Sequence, residues 1–337
     1  MQQTASDRLR FSPGSARTAY TQDRSKQMAH NEIEKLAITG FAFGGASFGK
    51  LDSGKICFVR GGVPGDLVEI QITASKKNFS TGRLLRILQK SERRIQPVCP
   101  YALTEKNALH ACPGCSYQQT DYETELQWKQ IQFESFLLRS GLADKDHIRT
   151  PFGAPSRFGW RNKLRFSCEV RGNQIQTGYM GEDNVSFLPI RRCLLSEQAI
   201  QDAHSHFLMS SSSNSNSSLQ NRQSCRHVSF RWTPSDGVRI WTDADSGLSD
   251  TILHEQLGSF GTFQVPLKSF FQVNIPVASE LVRRVSDTVQ HHEIRFLADL
   301  YCGTGIFSIA AARKNPELTC IGIELDPRAI DSARANA

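Results

Sequence analysis

The chain has 337 residues, 39% of them hydrophobic, with no apolar run near the roughly 18 residues a membrane helix needs, which predicts two or three cored domains and excludes a helical membrane protein. Its net charge of +7 is unevenly placed: residues 1–98 carry 16 Lys/Arg against 8 Asp/Glu, and the remainder 24 against 25. A basic N-terminal third on a near-neutral body points to a polyanionic partner, nucleic acid first; nine scattered cysteines and no secretory signal exclude a disulfide scaffold and predict a cytoplasmic monomer.

Residues 1–30 set Arg8, Arg10, Arg17, Arg24 and Lys26 among Ser and Thr, as a disordered tail or a leader ahead of a start at Met28 would. Between Ile33 and Ile87, short β-prone runs (36–39, 56–59, 67–72) alternate with Gly44-Gly45, Gly49 and Gly61-Gly62. This spacing predicts a small OB-like antiparallel barrel spanning 31–95. Lys76, Lys77, Arg83 and Arg86 follow its last turn, with Phe79 among them. Cations can neutralise phosphates and an aromatic can stack on bases, so these four are candidate RNA-binding residues.

A loop holding Cys99, Cys112 and Cys115 opens a β-rich central domain, 96–260. Tyr122 to Arg139 reads as its clearest helix, with an apolar face from Leu126 to Leu138 expected to pack in a core, against the C-terminal domain, and Gly141 as its stop. Residues 152–192 read as strands with a hairpin turn at Gly172-Asn173, and 209–224, which includes the Ser/Asn tract 210–218, as a flexible loop. Further strands are expected at 226–232 and 238–242.

Cys99, Cys112, Cys115 and the distant Cys193 could meet in space. Cys112-Pro113-Gly114-Cys115 is a tight turn able to aim two sulfurs at one centre; zinc, an iron–sulfur cluster and reduced or redox thiols all fit that spacing. The other five cysteines read as small hydrophobes. Residues 261–337 contain an apolar run, 296–300, delivered into Tyr301-Cys302-Gly303-Thr304-Gly305. A second run, 319–323, closes on Glu324. Strand, glycine turn, helix, strand and an acid about 20 residues on is the nucleotide-binding half of a doubly wound sheet.

Taken in order, these segments resemble the S-adenosylmethionine-dependent RNA (uracil-C5-)methyltransferases, which make 5-methyluridine in transfer and ribosomal RNA. The resemblance runs over residues 33–337. It is carried by Val63-Pro64-Gly65-Asp66 and Ser91-Glu92-Arg93-Arg94 in a TRAM-like barrel, Cys112 to Gln119, Trp160-Arg161-Asn162-Lys163, Cys193-Leu194, Ser269 to Asn274, and Asp299 to Gly305. It implies a [4Fe–4S] cluster on Cys99, Cys112, Cys115 and Cys193. It also implies S-adenosylmethionine contacts at Gln272, Tyr301, Gly303, Gly305, Ile306 and Glu324, in an incomplete Rossmann-like domain.

Three features depart from that pattern. Twelve residues separate Cys99 from Cys112, where the family has a shorter stretch, and Ile306 stands where Asn is common. The family's Asp-Pro-Pro-Arg segment, nucleophilic cysteine and base are expected downstream of Ala337, so the chain as given is expected to be inactive. A non-catalytic RNA-binding iron–sulfur protein is the rival reading. A radical enzyme fits the cysteine spacing poorly, and a nicotinamide oxidoreductase explains neither barrel nor cysteines.

Overall fold

In Leu67–Ser75 every second residue is apolar, so Val68, Ile70 and Ile72 fall on one face while Glu69 and Gln71 face out. A computed structural model describes this strand and its surroundings for residues 32–108, 110–171, 174–212, 225–248 and 250–337. Six strands, β1 (Ile33–Ala37), β2 (Gly40–Phe41), β3 (Ser47–Lys50), β4 (Ile56–Val59), β5 (Leu67–Ser75) and β6 (Phe79–Gln89), form one sheet in the order β1-β5-β6-β4-β3-β2. Only β4 and β6 run parallel. Register shifts along β5 and β6 bend the sheet around a core of Leu36, Ile38, Cys57, Val59, Ile70 and Leu84.

The two motifs of this module form a single clasp. The buried Asp66 carboxylate accepts from the backbone N–H of Val63 (2.7 Å) and of Ser91 (2.8 Å), and from Arg94 Nε (3.0 Å). Arg94 also donates to Gly61 O (2.6 Å), so the turn before β5 is tied to the segment after β6. Arg94 then pairs with Thr120, leading into helix α1 (Tyr122–Arg139), whose first turn Asp121 caps by accepting from Thr124 N (2.7 Å).

The helix has the predicted bounds, but its face is not buried. Trp128 packs edge-on against Phe41, and Gln132 donates to Phe41 O (3.2 Å), so α1 leans on the barrel through its middle. Ile131, Phe133, Phe136 and Leu138 are 43–57% exposed, which corrects the core-packing expectation.

The central sheet runs β11-β10-β7-β8-β9. Its strands are β7 (Lys163–Arg171), β8 (Gln174–Met180), β9 (Phe187–Pro189), β10 (His227–Thr233) and β11 (Gly237–Thr242). β7 and β8 pair out to Arg171 opposite Gln174; the turn residues 172–173, residues 1–31 and 213–224 lie outside the described residues. Helix α2 (Gln198–Ser212) covers this sheet and takes residues 209–212 out of the expected loop. A hairpin of β12 (Ile252–Gln256) and β13 (Thr262–Pro266) leads to α3 (Ile275–His291), capped by Asn274 and burying Ala278, Val282, Ser286 and Val289 along one stripe.

The parallel pair β14 (Phe296–Leu300) and β15 (Thr319–Ile323) brackets α4 (Ile306–Lys314), and α5 (Pro327–Asn336) follows. Asn336 holds α5 to β13, exchanging hydrogen bonds with Gln264, and donates to Thr304 O (3.1 Å) in the glycine turn. One face of the pair stays open: Phe296, Leu300, Ile321 and Ile323 are 49–62% exposed.

Candidate cofactor and cysteine sites

After β14 the chain turns through three left-handed residues, Tyr301 (φ 65°), Gly303 (φ 55°) and Gly305 (φ 81°), and Gly305 opens α4. The two glycines accept this backbone without a Cβ clash. Tyr301 is no glycine, so it holds a sparsely populated conformation while its ring stands 90% exposed at the strand end. Asp299 accepts from Ser308 N (3.3 Å), tying strand to helix.

Glu324 closes the other side of the turn. It accepts from Gly303 N (2.9 Å), Leu325 N (2.7 Å) and Asp326 N (3.0 Å), and these N–H groups, Asp326's foremost, hold its carboxyl below the usual range. An ionised acid thus sits at the carboxyl end of β15, beside the turn. Ile306 lies apart from that opening. It is buried in a core with Leu257, Phe263 and Phe271, so only its backbone is open to a bound group.

Residues 269–274 reach the turn by another route. Ser269 Oγ donates to Asp326 (2.7 Å), the N-cap of α5. The Trp160-Arg161-Asn162-Lys163 run lies along this segment: Asn162 N donates to Val273 O (3.1 Å), Arg161 pairs with Asn274, and Lys163 Nζ donates to Ser269 O (3.1 Å). Burial, then Arg231, pulls the Lys163 pKa down to about 8. Gln272 is half-buried; its carbonyl accepts from Asn162 Nδ2 (3.4 Å), and its side-chain amide makes no hydrogen bond among the described residues.

Arg231 and Glu255, which the sequence reading missed, complete this scaffold. Both are fully buried, 2.9 Å apart, and Glu255 also accepts from Asn162. Arg231 donates further to the carbonyls of Pro266, Leu267 and Ser269. An arginine between Phe230 and Trp232 in β10 was the available signal; its partner lay in a hairpin that had not been read.

Cys99, Cys112, Cys115 and Cys193 line one cavity of 280 Å³, walled also by Tyr101, Tyr179, Ile190 and Leu195. The long stretch between Cys99 and Cys112 folds back on itself. Asn107 accepts from Thr104 N (2.6 Å), and Cys112 N donates to Tyr101 O (2.8 Å), two residues past Cys99. Burial pushes the Cys99 and Cys112 thiols up and that of Cys115 to about 11, and their neighbours' charges add to it. Arg161 reaches the same wall with a buried Nε that has no hydrogen-bond partner.

Among the described residues no three His, Cys, Asp or Glu side chains form a group able to hold a metal ion. All four are thiols that line one cavity, donor chemistry that zinc and an iron–sulfur cluster both take.

Of the four basic candidates on the barrel, Lys76 and Lys77 are exposed, and Lys76 lies over the Phe79 ring (5.2 Å). Arg83 bonds Gln71 and lines a cleft between barrel and central sheet. Arg86 is engaged by Glu69 through two hydrogen bonds (2.9 and 2.8 Å).

The TRAM domain family matches residues 29–85. An RNA methyltransferase of uncharacterised specificity from Gloeobacter violaceus is 26% identical over 349 residues, covering 90% of this chain and 74% of that protein. The 23S rRNA (uracil(1939)-C(5))-methyltransferase RlmD of Azoarcus is 26% identical over 321 residues, covering 84% and 71%. The crystal structure of Pyrococcus abyssi tRNA (uracil-54, C5)-methyltransferase with S-adenosyl-L-homocysteine superposes with a TM-score of 0.61, at 19% identity, over 89% of this chain and 75% of that one; it shares the fold. With the TRAM module, the signature segments and the glycine turn in one order, the chain is similar to RNA (uracil-C5-)methyltransferases along most of its length.

Proposed function

We propose that this chain acts in transfer of a methyl group from S-adenosylmethionine to C5 of uridine in ribosomal or transfer RNA. The observation that carries the reading is that the 269–274 segment, the glycine turn and the end of β15 are hydrogen-bonded together. The 269–274 segment, fixed by Asn162, Lys163 and Arg231, is hydrogen-bonded through Ser269 to the loop that follows Glu324. Glu324 is suited to accept from ribose hydroxyls and Tyr301 to lie against the cofactor, while Gly303 and Gly305 let the backbone approach. Bound S-adenosylmethionine supplies an electrophilic methyl group.

Uracil C5 is a poor nucleophile; the reaction needs a thiolate to add at C6 and a base to remove the C5 proton. None of the nine cysteines suits that task. Cys302 is buried under the turn, Cys57 lies in the barrel core, Cys168 faces Cys225, and Cys320 Sγ points to Ser308 O (3.5 Å). None of the nine is therefore assigned as the thiolate that adds at C6.

Cys99, Cys112, Cys115 and Cys193 would hold a [4Fe–4S] cluster, with Arg161 as nearby countercharge. The basic barrel face would hold RNA phosphates. Calorimetric titration tests the cofactor reading. S-adenosylmethionine should bind at one site per chain, displaced by S-adenosylhomocysteine. Binding of NADH in its place overturns it.

A further inference from the structure

Cys168 and Cys225 lie outside both sites described above. Cys168 is on β7; Cys225 stands two residues before β10, where the pairing with β7 begins at His227 opposite Ser167. The Cys168 N–H donates to Arg226 O (2.8 Å), which brings the two side chains to the same place, with their sulfurs 3.6 Å apart. A disulfide needs about 2.05 Å, so closure requires a shift of roughly 1.5 Å. Cys225 can supply it because it precedes the strand ladder. Cys168 is half-buried, leaving the pair an approach from solvent, whereas Cys225 is 7% exposed.

We propose that Cys168 and Cys225 are a redox dithiol site, whose reaction partner is a low-molecular-weight disulfide of the glutathione type. Cys168 is the sulfur that oxidised glutathione can reach, because Cys225 lies buried behind it. The Cys168 thiol loses its proton and its sulfur bonds to one sulfur of oxidised glutathione, and the other half leaves as a thiolate that takes up a proton. Cys225 then loses its proton, attacks the Cys168 sulfur and expels the second glutathione thiol. One protein S–S bond replaces one small-molecule S–S bond; the protein loses two electrons and glutathione disulfide gains them. The product ties β7 to the start of β10 and closes a loop between positions 57 apart, within which Cys193 lies.

The test uses the full chain, purified anaerobically and equilibrated with reduced and oxidised glutathione at a series of ratios. Samples are then quenched in acid, alkylated and digested with trypsin. Cleavage after Arg165, Arg171, Arg222 and Arg226 leaves peptides 166–171 and 223–226 with one cysteine each. The expected result is those two peptides joined, at a mass two hydrogens below their sum, separated by dithiothreitol and increasing with the oxidised fraction. Cys225→Ser should instead leave Cys168 carrying one glutathione. Alkylation of both peptides at every ratio overturns the proposal, as does either cysteine joined to a different one.

Discussion

Glu324 joins three backbone N–H groups at the end of β15, and its carboxylate is already ionised and oriented there before any ligand arrives. Glu324→Ala should weaken S-adenosylmethionine binding about tenfold, roughly 1.4 kcal/mol, by calorimetry, with the far-UV spectrum unchanged. Arg231→Met is different in kind: it leaves Glu255 charged and buried, and should cost about 3–5 kcal/mol in chemical denaturation, much of it recovered by Arg231→Met with Glu255→Leu. A double variant no more stable than the single one would show that the pair is not a closed electrostatic unit. The place of Glu324 at the end of β15 was legible from the sequence because it depends on distance along the chain from a glycine turn. Arg231 and Glu255 were not, because they meet only when β10 packs against the β12–β13 hairpin.

Helix α1 shows how far elements could be read. Asp121 and Gly141 bracket it as local chemistry predicts, yet periodicity says which residues share a face and nothing of what covers it. α2 was read in part as loop because its C-terminal end runs into the Ser-rich tract. α2 also brings a pH-sensitive element. His204 is buried, stacked on Phe166 (4.4 Å) and bonded to Thr177 Oγ1 (2.6 Å), and burial holds its pKa at about 4 against an ordinary 6.5. Between those values the unfolded chain binds a proton that the folded one refuses. Stability should therefore be fully present above pH 6.5 and fall as pH drops toward 4. Thermal denaturation across that range should show the loss, and His204→Gln should flatten it. An unchanged slope would assign the pH dependence to other groups.

For the whole molecule, the TRAM module and the four cysteines were legible as a linear succession of motifs, while the cavity that gathers the cysteines needed the fold. The basic barrel predicts RNA binding that weakens steeply with salt as counterions are released. Charge reversal at Lys76, Lys77 and Arg83 should lower affinity across unrelated RNA sequences. Arg86, already engaged by Glu69, should matter less. Equal affinity from a chain beginning at Pro97 would remove the barrel from the interface. Among the described residues no helix is long and apolar enough to cross a membrane.

The most direct measurement follows a labelled methyl group from S-adenosylmethionine into unmodified RNA, using residues 1–337 alone and the same residues joined to the C-terminal portion of the Azoarcus relative. The joined protein should form 5-methyluridine and lose that activity with Glu324→Ala, and residues 1–337 alone should bind S-adenosylmethionine. Label at any other base, or no transfer by a joined protein that binds both S-adenosylmethionine and RNA, would contradict a role in uridine C5 methylation.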